Sequence, residues 1–173
     1  MRGKLIDSGL TIGEEYSISF TFTARKFSPG WHNILHFTTG EDLGKPGSRI
    51  PAVWMHMSLG NENAKPLYIC SDVNGNSNYC RTSSPIPINT PTKIQISQWK
   101  PLRTDPYYQI LINGKQQHAV YIKSHAVHHN VSLYASDPWY PAQEGEIKNL
   151  EYPGGLYYGI TDLRIFRSTD FGI

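Results

Sequence analysis

At 173 residues, with 17% charged side chains and a formal net charge of +2, the chain is long enough to bury a sizeable core without metals. No run of Lys or Arg forms a stripe, so composition argues against nucleic acid as a partner and against an anionic membrane. No window reaches the roughly 18 apolar residues of a membrane helix, and no membrane insertion is expected.

The first residues, Met1-Arg2-Gly3-Lys4, lack the apolar core of a signal peptide. That leaves a cytosolic chain, or a mature or excised domain to which Met1 was added; the cysteines discussed below favour the second, hence an extracellular, secreted setting. Residues 15–22 alternate Tyr16, Ile18, Phe20 and Phe22 with small polar residues, the period of a strand with one buried face. Similar runs follow at 33–38, 52–57, 66–73, 92–98, 107–112, 118–122, 131–135, 145–152 and 159–166. Turn residues separate them, among them Ser28-Pro-Gly30, Gly60-Asn61 and Pro153-Gly-Gly155. Asn113-Gly114 supplies a hairpin turn, because both residues accept positive φ. No stretch of a dozen residues has helical spacing with caps, and no linker or charge block marks a boundary. The pattern predicts an all-β, antiparallel two-sheet sandwich, 1–173, as one domain.

The two cysteines, Cys70 and Cys80, flank Asn74-Gly75-Asn76. A three-residue loop at 74–76 would set Val73 against Ser77 and Cys70 directly opposite Cys80. Facing Cβ atoms in an antiparallel pair lie about 4.5–5.5 Å apart, close enough for a disulfide after modest adjustment. Two reduced, half-buried thiols are the alternative. Asn130-Val131-Ser132 is a glycosylation sequon.

Several segments carry a family resemblance. Tyr107-Tyr-Gln-Ile-Leu-Ile-Asn113-Gly114-Lys and Tyr158-Gly159-Ile160-Thr-Asp162-Leu163-Arg164-Ile165-Phe166 resemble a hairpin and the closing strand of concanavalin A-like, laminin-G-like jelly rolls. Gly30-Trp31-His-Asn33-Ile34-Leu35-His36-Phe37-Thr38-Thr39-Gly40, the run from Gly47 to Trp54, and that from Val131 to Tyr140 are similar to laminin-G-like domains in secreted proteins of aquatic animals. The resemblance spans roughly residues 14–152. It implies a jelly-roll fold, and a lectin, an adhesion module or a glycanase as the function.

Asp137-Pro138-Trp139-Tyr140 sets two aromatics beside a carboxylate where the chain leaves a strand, a combination suited to sugars. The competing reading has Trp139 capping the core and Asp137 fixing the turn. Residues 41–49 form a Gly/Pro loop in which Asp42 and Arg49 either orient ligand hydroxyls or pair with each other. Trp31 and Trp54 read as core packing. No cofactor is firmly expected: Asp72-Val-Asn74-Gly75-Asn76 lacks the glutamate that completes a calcium loop, while calcium held by Asp42 or Asp137 with backbone carbonyls is what the resemblance allows. His118, His125, His128 and His129 lack a Cys or carboxylate spaced to complete a zinc site.

Catalytic groups are sparse. Glu144-Gly145-Glu146 is the nearest carboxylate pair, but its context reads as a turn and no third acid follows. The expectation is a non-catalytic carbohydrate-binding module, or lectin, with a glycan or glycoprotein as partner. Asp42 and Asp137 would accept from hydroxyls, Arg49 would donate, and Trp139 or Tyr140 would stack. A homo-oligomer would compensate for weak single sites. A protein-interaction or adhesion domain, with the tail 154–158 as its surface, and a diverged glycanase are the rivals.

Overall fold

The computed structural model describes residues 2–42, 44–56, 58–99, 105–124, 126–154 and 163–165, and every element within them is a strand. In chain order these are β1 (Leu5–Ile12), β2 (Tyr16–Ala24), β3 (Trp31–Thr38), β4 (Ala52–His56), β5 (Ala64–Val73) and β6 (Asn76–Pro87). They are followed by β7 (Thr92–Trp99), β8 (Tyr107–Ile112), β9 (Lys115–Tyr121), β10 (His128–Tyr134), β11 (Gly145–Glu151) and β12 (Leu163–Ile165). Two six-stranded antiparallel sheets result, one ordered β1-β10-β3-β4-β5-β6 and the other β12-β11-β2-β7-β8-β9. This is the antiparallel two-sheet sandwich that strand alternation predicts and the jelly roll that the resemblance implies.

Alternation sets the core. Ile18, Phe20 and Phe22 of β2, Ile94 and Ile96 of β7, and Tyr108 and Ile110 of β8 point inward from one sheet. Leu35, Phe37, Val53, Met55, Leu67 and Ile69 meet them from the other. Each such side chain contributes about 1.5–3 kcal/mol by leaving water.

Strand β1 was not legible in the sequence. Asp7, Ser8 and Gly9 interrupt its apolar residues and imitate a turn; in the fold Gly9 takes φ +72°, and the pairing with β10 shifts register repeatedly. The β5–β6 turn also differs from expectation. Asn74 and Gly75 form a two-residue loop, with φ of 55° and 76°, and Val73 faces Asn76 rather than Ser77. A register shift between Ser71 and Val73 absorbs the difference, so Cys70 still lies opposite Cys80. They form a disulfide with a Cα–Cα distance of 4.0 Å. Asn113 and Gly114 join β8 to β9 with positive φ, as expected. The strand anticipated at 159–166 lies mostly outside the described residues, though Leu163–Ile165 pairs with β11. Beyond Gly154, the tail proposed as an adhesive surface is likewise outside them.

Candidate functional site

The site is built on the outer face of β3, β4 and β5. Val53 and Met55 point into the core, so Ala52, Trp54 and His56 must point outward. Across the strands Trp31 pairs with His56, and Trp54 with Tyr68, which gathers four rings on one face. Trp31 lies 4.5 Å from His56 and 4.9 Å from Tyr68 between ring centroids.

Two loops roof this face, and a buried pair joins them. The Nδ1 of His36 sits 2.7 Å from one oxygen of Asp137, and its Nε2 donates to the Ser48 carbonyl at 2.7 Å. Both side chains are 0% exposed. The other oxygen of Asp137 accepts from the backbone N–H of Trp139 and of Tyr140, at 3.0 and 2.7 Å. Asn33, also fully buried, accepts from the Asp137 N–H and donates to the Val53 carbonyl. His36 thus ties residues 137–140 to the β3–β4 loop. Gly47 lets that loop fold back: at φ +83° a Cβ there would stand 2.6 Å from Thr39 Oγ1.

That loop delivers Arg49. Its Nε donates to Asp42 at 2.7 Å and its Nη2 to the second Asp42 oxygen at 3.3 Å, a bidentate grip. Nη1 donates to Asn78 and lies 3.7 Å from the Cys70 sulfur. The guanidinium stands 4.7 Å from the Trp54 ring centroid, and Tyr140 closes over Trp54 at 5.8 Å. Burial, then the neighbouring Asp42 carboxylate and a hydrogen bond to it, push the Tyr140 phenol up. Trp31, Arg49, Trp54, Tyr68 and Tyr140 enclose a cavity of about 240 Å³.

Of the residues expected from sequence, Arg49 and Tyr140 line this cavity, and Asp42 braces Arg49 behind it. Asp137 requires a correction: its carboxylate is buried, with both oxygens engaged, so it shapes the turn and offers no acceptor to a ligand. Trp139 is 37% exposed but leans on His36 and Tyr134, at 5.5 and 6.4 Å, beside the cavity rather than in its lining. Trp54 is only 2% exposed, yet its burial comes from Tyr140 and the disulfide, not from the inter-sheet core. Its Nε1 is buried with no hydrogen-bond partner. Trp31, Trp54 and Tyr68 were missed as site residues. The signal was their phase, since each alternates with inward-facing residues.

Calcium does not fit the proposed oxygens. An arginine holds both oxygens of Asp42, while a histidine and two amides hold those of Asp137. The histidines also find separate partners. His118 meets the Tyr79 hydroxyl at 2.9 Å, His129 meets Thr11, and His128 lies 4.0 Å from Asp72, while His125 is outside the described residues. Among the described residues no three His, Cys, Asp or Glu side chains could hold a metal ion together. Asn130 of the sequon is exposed on β10. Glu146 lies in β11, paired with Arg25 and Lys148, rather than in the expected turn.

No family model matches the chain, and no curated protein matches its sequence. Solved structures share its fold. A native heptameric SAP-like pentraxin from Limulus polyphemus aligns with a TM-score of 0.55 at 8% identity, over 86% of this chain and 67% of that one. An alginate lyase from Alteromonas sp. 272 gives 0.53 at 8% identity, over 86% and 76%. Domain 4 of AbnA, an extracellular arabinanase from Geobacillus stearothermophilus in complex with arabinotriose, gives 0.51 at 18% identity, over 88% and 66%. This chain therefore spans about two thirds of the pentraxin and arabinanase-domain chains. The likeness establishes the jelly-roll sandwich, a fold these proteins put to different uses.

Proposed function

We propose that the protein is a non-catalytic carbohydrate-binding domain that takes a sugar in the cavity between Trp31, Tyr68, Tyr140 and Arg49. The observation that carries the reading is the convergence of three partly open rings and a held guanidinium on about 240 Å³, the scale of one sugar ring. Rings cover the apolar C–H face of a pyranose, while the Arg49 N–H groups left over from Asp42 and Asn78 donate to its oxygens. Asp42 and Asp137 act as positioning residues. That AbnA domain 4 is a sugar-bound sandwich adds weight, as does the engagement of Asp42 and Asp137, which keeps both from serving as an acid-base pair at the cavity. A secreted, single-domain protein suits the disulfide and the sequon, and repetition in a homo-oligomer would strengthen a shallow site.

A glycan array followed by calorimetry on the best ligand tests this. Trp31→Ala and Tyr68→Ala should each weaken binding about tenfold, the worth of one stacking face, with the thermal midpoint held. An array without hits for the folded protein would sink the reading.

A further inference from the structure

The outer face of the second sheet carries a different surface. Strands β2, β7 and β8 send their core residues inward and leave Ser17, Gln95, Ser97, Trp99 and Gln109 along an open groove of about 480 Å³. Register sets them in rows. Ser17 pairs with Ser97, and Ser97 with Gln109; one step along, Trp99 pairs with Tyr107, and Tyr107 with Tyr121. Trp99 and Tyr107 stack at 4.8 Å, and Trp99 is 38% exposed and Tyr121 67%. A polar floor thus runs into an exposed aromatic row.

We propose that this groove is a second binding site, for an extended, uncharged polysaccharide chain. Gln109 Nε2 donates to Ser97 Oγ at 3.1 Å, and Gln95 Nε2 donates to Ser17 Oγ at 3.5 Å. These bonds fix the two amides and leave their carbonyl oxygens as acceptors, with the second N–H of each as a donor. Alternating donors and acceptors without formal charge match a row of sugar hydroxyls. Among the described residues lining the groove, Glu15 alone carries a formal charge, and the rest of the lining is neutral. The groove is about twice the size of the cavity on the other sheet, about 480 against about 240 Å³, room for more than one sugar unit. Trp99 and Tyr107 supply the stacking platform, and neither lines the first site.

Calorimetry with cellohexaose, xylohexaose and mannohexaose, against the acidic hexamer of galacturonic acid, tests the groove. At least one neutral hexamer should bind. Trp99→Ala should weaken it about tenfold, and Trp99→Phe should keep most of the affinity. Tyr68→Ala should leave this binding unchanged, which separates the groove from the cavity on the first sheet; loss in Tyr68→Ala alone would place the chain there and overturn the groove. Three further results would overturn it: no neutral hexamer tighter than about 1 mM, the acidic hexamer preferred, or Trp99→Ala without effect in a protein of unchanged thermal midpoint. Self-association abolished by Trp99→Ala would assign the face to a second copy of the chain, and would likewise overturn the polysaccharide site.

Discussion

His36 shapes the candidate cavity without lining it, from a position no ligand could reach. Its two ring nitrogens face a carboxylate and a carbonyl, so one imidazole fixes both loops that roof the aromatic face. His36→Ala would leave the Asp137 carboxylate buried without its ring partner. Removing one partner of a buried hydrogen bond costs about 1–3 kcal/mol, and denaturant unfolding should show a loss of at least that size, the stranded group being a carboxyl. Trp139→Ala, at a half-open ring, should cost much less. The turn fixed by Asp137 was legible in the sequence as one of two readings; its contact with His36 was not. His36 and Asp137 are 101 residues apart, and their contact follows from the β10–β3 pairing rather than from any local pattern. Asp42 and Arg49, seven positions apart in one loop, could be weighed as a pair from sequence because the chain can bring them together locally.

Alternation made the strands legible at the level of elements, and irregular pairing hid what remained. Strand β2 could be read residue by residue, since Tyr16, Ile18, Phe20 and Phe22 keep strict period two. Strand β1 could not, because its register shifts admit polar residues and a left-handed glycine mid-strand. The β5–β6 hairpin lies between these cases: its turn was misjudged by one residue, yet the cysteine pair was correctly opposed. The disulfide closes a short loop, and replacing both cysteines by alanine should cost about 2–3 kcal/mol in the chain-entropy account. The same variant also removes sulfur from behind Arg49, so the sugar affinity proposed for the first cavity should fall. Thermal unfolding and calorimetry on one preparation would measure both effects.

For the whole molecule, two partly buried histidines make stability depend on pH. Burial holds His128 below its usual value, with His129 adding repulsion and Asp72 opposing. Burial and then Arg81 lower His118. The unfolded chain therefore binds protons first as pH falls, so stability is complete above about pH 6.5 and declines below it. Thermal midpoints measured from about pH 8 down to about pH 5, a window that brackets the ordinary histidine value, should show that decline. His118→Gln with His128→Gln should flatten it, and an unchanged slope in the double variant would reject the assignment. The sandwich was legible at this scale because period two survives in most strands. Its two outer faces were not, since a Trp outside the core and a Trp inside it look alike until register assigns the phase.

The cysteine pair has a consequence for timing. Arg49 rests within 3.7 Å of one sulfur and 4.0 Å of the other. While both thiols are still reduced, the covalent rung behind that guanidinium is missing, so the wall of the cavity gains this support only once the pair has oxidised.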